Sequence, residues 1–126
     1  MRATREHADA LAPPLAQTLG LLDRDGDLST ATLAQRRGVR HQSQSRTVKD
    51  LEVTGLIARR DDPEDGRGFL VTLTEQGRAA LDRDRVARRD WIAQAIETVL
   101  DQEERARLGA LADLLDRLSG HDGGRR

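Results

Sequence analysis

Two short helical segments joined by a glycine turn limit most strongly what this chain can fold into. Ser29 has the hydroxyl that typically caps a helix N-terminus, and Gly38 is the kind of left-handed residue that ends a short helix. A second helix is predicted over residues 40–54, up to Gly55. Two short helices around a tight, glycine-containing turn form a helix-turn-helix.

A β-hairpin is predicted directly after the helix-turn-helix. Residues 56–60 and 69–73 are short segments on either side of a polar turn, and in the second of them Phe69, Val71 and Leu73 fall on one face. Residues 61–68 between them are polar and are expected to form a flexible, charged turn. A hairpin in this position is the wing of a winged helix-turn-helix.

Helical spacing predicts helices on both sides of this motif. Pro13 and Pro14 suit a helix entrance, and leucines follow at helical intervals. From about Glu75 the pattern is helical again, and Asp101 with Glu104 has the spacing of a capping box that starts a last helix. The predicted fold class is mainly α with a small β-wing, a winged helix-turn-helix plus a helical dimerisation region.

The pattern divides the chain into four segments. Residues 1–12 are expected to be a short N-terminal arm or helix, and residues 13–74 the winged helix-turn-helix lobe. Residues 75–119 form the predicted dimerisation region, followed by a flexible tail over 120–126. The last helix carries a leucine seam that we expect to form the dimer interface with a second copy: Leu108, Leu111, Leu115 and Leu118.

Composition argues against several other functions. The chain has no cysteine, which removes disulfides, thiolate catalysis and thiol redox sensing. No apolar run approaches the roughly 20 residues that span a bilayer, and no signal-peptide core is present, so the sequence predicts a cytoplasmic protein without a membrane partner. The histidines His7, His41 and His121 lack metal-ligand spacing. We therefore expect neither enzyme activity nor a cofactor or metal.

The strongest functional signal is a local concentration of positive charge. The chain has a net charge of −1, yet five cationic residues and no carboxylate lie between Ala31 and Lys49. Such a stretch on a helix-turn-helix suits attraction to DNA phosphates. Gln44 shares a helix face with Val48 and Leu51 and is predicted to point inward. The expected DNA contacts are phosphate contacts from Arg36, Arg37, Arg40 and Lys49, base contacts from Gln42, Ser43 and Arg46, and further contacts from His41 and Ser45.

Arg67 lies between Gly66 and Gly68 in the predicted wing turn. An arginine on a hairpin tip can enter a minor groove, where narrow A·T tracts concentrate negative potential. The alternative is a salt bridge to Asp62, Asp65 or a neighbouring helix. Because phosphates repel a carboxylate, Asp65 is expected to organise the turn and Arg67 to contact DNA.

These segments resemble the MarR-type transcriptional regulators. Residues 38–57 resemble the family's recognition helix and exit, and residues 61–78 resemble its wing and following helix. The wing pattern Asp65-x-Arg67 and the pattern Leu73-Thr74-x-x-Gly77 carry the likeness, which extends over about 15–118. The resemblance implies a homodimeric repressor on a palindromic operator in double-stranded DNA, released in many members by a small phenolic or aromatic effector. It places Gln42, Ser43, Ser45 and Arg46 on the recognition helix and Arg67 at the wing tip.

Two alternatives remain open at this point. The near-neutral net charge and short N-terminal segment suit a helical interaction protein that dimerises with a partner regulator and does not bind DNA alone. A small-molecule-binding module without a DNA function would keep the helices but tolerate charge reversal at Arg46 and Lys49.

Overall fold

The computed structural model describes residues 10–120, which group into two compact units, one reaching to Arg88 and one beginning at Arg89. The elements in chain order are α1 (Pro13–Asp25), α2 (Thr30–Arg37), α3 (His41–Val53), β1 (Ile57–Asp62), β2 (Asp65–Leu73), α4 (Glu75–Val99) and α5 (Gln102–Gly120). A mainly α fold with a small β-wing is thereby confirmed. None of the helices described is long and apolar enough to cross a membrane.

Every element of the first unit contributes to a single aliphatic core. Full burial of such a side chain contributes roughly 1.5–3 kcal/mol. Because α3 and both strands pack against this one core, α3 and the wing are fixed relative to each other. Its buried members are Leu19, Leu22, Leu33, Val48, Leu51, Ile57, Val71 and Leu81.

Local capping sets the helix-turn-helix as the sequence predicts. The Ser29 hydroxyl oxygen accepts a hydrogen bond from the Thr32 backbone N–H at 3.1 Å, which satisfies one of the unpaired donors of α2. Gly38 has φ 69° and ψ 35°, the left-handed conformation that ends α2. Arg40 occupies the N-cap position of α3 and makes no side-chain capping bond there.

The wing is longer than the sequence predicts. Antiparallel pairing runs from Ile57 opposite Leu73 out to Asp62 opposite Asp65, with an irregularity of register near the tip. The predicted turn over residues 61–68 was therefore wrong, because exposed charged side chains do not prevent the backbone groups from pairing across the hairpin. Only residues 63–64 connect the strands.

An additional backbone bridge attaches the wing to the connection between α1 and α2. The Leu28 N–H donates to the Val71 carbonyl at 3.2 Å, and the Val71 N–H donates to the Leu28 carbonyl at 2.8 Å. The side of β2 that β1 leaves unpaired is thus partly covered. The wing is held at its base from both sides.

The junction between the wing and α4 explains the Leu73-Thr74-x-x-Gly77 pattern. The Thr74 hydroxyl donates to the Gly55 carbonyl at 2.7 Å and accepts from the Gly77 N–H at 2.9 Å. The Thr74 N–H donates to the Leu56 carbonyl at 3.2 Å. Gly77 packs so closely on Leu56 that a Cβ atom would lie 2.0 Å from that carbonyl oxygen. One threonine therefore caps α4 and also holds it against the end of α3.

A buried carboxylate ties the segment before α1 to α4. Asp84 is 2% exposed, and its Oδ1 accepts from the Leu11 N–H at 2.7 Å. Arg88 donates through Nε to Asp84 at 3.0 Å and through Nη2 to the Leu11 carbonyl at 2.8 Å. Asp84 and Arg88 together satisfy both backbone groups of Leu11.

Replacing Asp84 with alanine is expected to lower the free energy of unfolding by about 2 kcal/mol, because the Leu11 N–H loses its acceptor and Arg88 its counter-ion. Urea denaturation followed by circular dichroism measures the loss. Asp82 is exposed on the same helix, and its alanine variant should stay within about 0.5 kcal/mol of the wild type. Equal midpoints for the two variants would contradict a structural role for the Asp84 clamp.

In the second unit, α5 begins with the predicted capping box. The Asp101 N–H donates to Glu104 Oε1 at 3.0 Å, and the Glu104 N–H donates to Asp101 Oδ1 at 2.8 Å. The reciprocal pair confirms the prediction. None of the residues of α5 is buried within this chain.

Candidate nucleic-acid interface

One side of α3 is exposed and carries the predicted contact residues. The opposite side is packed, with Gln44, Val48 and Leu51 almost fully buried. Ser45 Oγ lies 3.4 Å from His41 Nδ1, one helical turn away. We call the exposed side the recognition surface; it comprises Arg40, His41, Gln42, Ser43, Arg46 and Lys49, with Ser45 half-buried at its edge.

The wing arginine is exposed and its turn is organised as expected. Asp65 Oδ1 accepts from the Arg67 backbone N–H at 3.0 Å, so the carboxylate shapes the turn around Arg67. Among residues 10–120, no carboxylate oxygen lies within 4.0 Å of an Arg67 guanidinium nitrogen. The salt bridge to Asp62 or Asp65 that the sequence left open is therefore not formed.

A cleft of about 390 Å³ connects the recognition surface to the wing. His41 and Ser45 border it from α3, Thr30 from the start of α2, and Arg67 from the wing. Arg59 lies there as well, with its guanidinium 4.2 Å from the Phe69 ring centroid. The structure thus brings the predicted wing residue Arg67 to the same cleft as His41 and Ser45 of α3.

Gln44 points inward, as predicted, and every polar group of its amide has a partner. Nε2 donates to the buried Thr18 hydroxyl at 3.0 Å, and Oε1 accepts from Arg37 Nη1. Arg37 Nε in turn donates to Gln17 Oε1 at 3.0 Å. A buried amide is tolerated when it is hydrogen-bonded in this way. The network fixes the packed side of α3 to both α1 and α2.

Two of the predicted phosphate contacts, Arg36 and Arg37, have hydrogen-bond partners within the protein. Arg36 Nη1 lies 2.6 Å from Asp25 Oδ2, and Arg37 contacts the amides of Gln17 and Gln44. Arg36 is directed toward α1, and Arg37 lies between α1 and the packed side of α3, so neither guanidinium group is part of the recognition surface. Contact of these two arginines with DNA stays a prediction from the sequence.

Similarity to known proteins decides the family. A family model described as the MarR family matches residues 11–68. An HTH-type transcriptional regulator of Mycobacterium bovis is 35% identical over 97 residues, which cover 77% of this chain and 67% of that relative. The chain belongs to the MarR family.

Two further comparisons also give transcriptional regulators. An HTH-type transcriptional repressor of Mycobacterium tuberculosis is 31% identical over 112 residues, 84% of this chain and 74% of the repressor. A solved transcriptional regulator of Pseudomonas aeruginosa is 33% identical, with a TM-score of 0.70 over 95% of this chain and 84% of that one. The protein is a DNA-binding transcriptional regulator of the MarR family, whose members are regulators and not enzymes. The resemblance identified from the sequence is confirmed.

In this MarR-family member, carboxylates neutralise arginines that lie outside the recognition surface. Hydrogen bonds from Arg78 and Arg85 lower the pKa of Asp23 below its usual value. A hydrogen bond from Arg60 likewise lowers the pKa of Asp27. These carboxylates stay ionised and compensate the arginines around the end of α1. The recognition surface carries Arg40, Arg46 and Lys49 against the one exposed carboxylate of α3, Asp50, so it keeps an excess of positive charge.

Proposed function

We propose that this protein is a homodimeric repressor that places α3 and the wing of each copy on a palindromic operator. The observation that carries the proposal is the recognition surface itself, an exposed and cationic helix side that shares a cleft with Arg67. Arg40 and Lys49 are proposed to contact phosphates, and Arg67 to enter the minor groove. Base discrimination is assigned to Gln42, Ser43 and Arg46, with His41 and Ser45 at the edge of the contact.

The proposed dimer is supported by the leucine seam of α5. Leu108 is 38% exposed and Leu118 is 70% exposed in the single chain, with Leu111 and Leu115 between these values. A contiguous exposed apolar patch of this kind marks an interaction surface. A two-fold axis between two seams repeats every contact, and it matches the symmetry of a palindromic operator. Recognition helices about 34–36 Å apart would enter successive major grooves.

The remaining assignments follow from this scheme. Residues 13–74 would bind DNA and residues 75–119 would carry the dimer. Repression would result when the bound dimer blocks access to the promoter. Release by a small aromatic or phenolic effector is implied by the family resemblance, and a protein that works on DNA in this way is placed in the cytoplasm.

Arg46→Ala is the direct test of the proposed readout. We expect operator binding to weaken by about 1–3 kcal/mol and sequence preference to decline, because a long, charged side chain on the exposed side of α3 is lost. The duplex is first selected by the wild-type protein from a random-sequence pool, and affinity is then measured at two salt concentrations. Wild-type binding should fall steeply with salt.

Two further variants serve as comparisons for Arg46→Ala. Lys49→Ala should weaken binding to selected and random duplexes alike and reduce the salt dependence, as expected of a phosphate contact. Arg83→Ala removes an exposed arginine from α4 and should leave affinity unchanged. If Arg46→Ala keeps wild-type affinity and selectivity, the assigned role of α3 in base readout is refuted.

A further inference from the structure

An arginine-rich cleft lies in the first unit apart from the recognition surface. Its volume is about 720 Å³, within the range of small-molecule sites. None of its lining residues belongs to α3 or to the wing. The charged lining consists of four guanidinium groups against one carboxylate: Arg24, Arg36, Arg37, Arg85 and Asp23.

Most arginines of this cleft form ion pairs, but they outnumber the carboxylates that they contact. Arg24 and Arg36 both contact Asp25, at 3.1 and 2.6 Å. Arg85 contacts Asp23 at 3.2 Å, and Arg78 competes for the same carboxylate at 2.5 Å. Four arginines therefore divide two negative charges, and the cleft retains a surplus of positive charge.

Arg37 is the arginine of this cleft whose charge is least compensated. It is half-buried, and its hydrogen-bond partners are the neutral amide oxygens of Gln17 and Gln44. Within residues 10–120 it takes part in none of the ion pairs formed with carboxylates. A guanidinium has five N–H donors, so several remain for a ligand. A half-buried positive charge beside an open cleft favours an anion there.

We propose that this cleft binds a small phosphorylated molecule, a phosphate monoester, with Arg37 as its principal ligand. A phosphate monoester carries close to two negative charges at neutral pH, which matches the surplus better than a carboxylate does. Its oxygens accept paired hydrogen bonds from a guanidinium. Leu21 and Gly20 are the apolar residues of the lining, and the other six residues are polar or charged, which favours a charged and hydrogen-bonding ligand.

The location of Arg37 gives such binding a consequence for DNA. Arg37 Nη1 donates to Gln44 Oε1, and Gln44 is the buried residue that ties α3 to α1. A ligand that draws the guanidinium into the cleft competes with this hydrogen bond and alters the support of α3. This step rests on the proposed operator binding: the ligand would change operator affinity, and the operator would change ligand affinity by the same factor.

Glucose 6-phosphate is a suitable probe, because unphosphorylated glucose and the aromatic monoanion benzoate provide matched controls. NMR titration of the full-length, isotope-labelled protein should shift the side-chain amide signals of Gln17 and Gln44 with glucose 6-phosphate and not with glucose. Arg37→Gln should weaken this binding by about tenfold or more, because a charge-assisted hydrogen bond is lost.

A second variant separates this proposal from the proposed function. Arg46→Gln changes the recognition surface, so it should lose operator affinity and still bind glucose 6-phosphate as the wild type does. If Arg37→Gln fails to fold, Arg85→Gln replaces it, since Arg78 remains paired with Asp23; several-fold weaker binding is expected.

Three results would overturn the phosphate site. The first is benzoate binding as tightly as the sugar phosphate. The second is unchanged binding of the sugar phosphate in the folded arginine variant of the cleft. The third is absence of sugar-phosphate binding to the wild-type protein. If Arg37→Gln then weakens all DNA duplexes equally and lowers the salt dependence, the phosphates recognised by Arg37 are those of DNA.

Discussion

Gly77→Ala is expected to destabilise the first unit by about 4 kcal/mol, one of the larger single-residue effects in this chain. The added Cβ would lie 2.0 Å from the Leu56 carbonyl oxygen and 2.8 Å from Leu73 Cδ1. The carbonyl oxygen belongs to the backbone and accepts the Thr74 N–H, so it cannot withdraw without opening the joint between the wing and α4. Urea denaturation followed by circular dichroism gives the free energy of unfolding.

Gly20→Ala is the matched control for this prediction. Gly20 lies inside α1 in the same unit, and a Cβ built there meets no atom within 4 Å. Alanine favours a helix interior by about 1 kcal/mol over glycine, so this variant should be more stable than the wild type. Opposite signs for the two glycines are expected; a Gly77→Ala protein as stable as wild type would mean that the close approach to Leu56 does not limit this position.

The parts of the fold that sequence could predict are those set by neighbours along the chain. A cap joins residues three positions apart, so Ser29, Gly38 and the Asp101–Glu104 pair each had a local signature that the structure confirms. Helical periodicity likewise predicted which side of α3 is packed. The same periodicity defined the exposed residues of the recognition surface.

The parts that sequence could not predict depend on contacts between distant segments. Gln44 had a predicted direction, yet its partners Thr18 and Arg37 come from two other helices. The bridge from Leu28 to Val71 joins residues far apart in the chain and has no local signal. A charge count treats every exposed arginine as available to DNA, and ion pairs across elements, such as that of Arg36 with Asp25, become visible only in three dimensions.

Leu115→Glu is expected to abolish the proposed dimer and, with it, tight operator binding. Leu115 is 55% exposed in the single chain and lies on the seam with Leu111. A two-fold interface contains each residue twice, so the variant would lose two buried leucines and bury two carboxylates without partners. A loss of about 4 kcal/mol or more corresponds to roughly a thousandfold in dimer affinity. Sedimentation equilibrium measures the dimer, and titration of the selected duplex measures operator binding.

The control for this variant is Ala106→Glu, which adds the same charge on the opposite side of α5 and should leave the protein dimeric. Because one copy reaches only half of a palindrome, the monomeric variant should retain weak half-site binding and lose the advantage of the full operator. None of the residues of α5 is buried within the single chain, so the proposed dimer would add burial there, and the wild-type unfolding temperature should rise with protein concentration. A Leu115→Glu protein that remains dimeric with full operator affinity would place the dimer contact elsewhere in the chain.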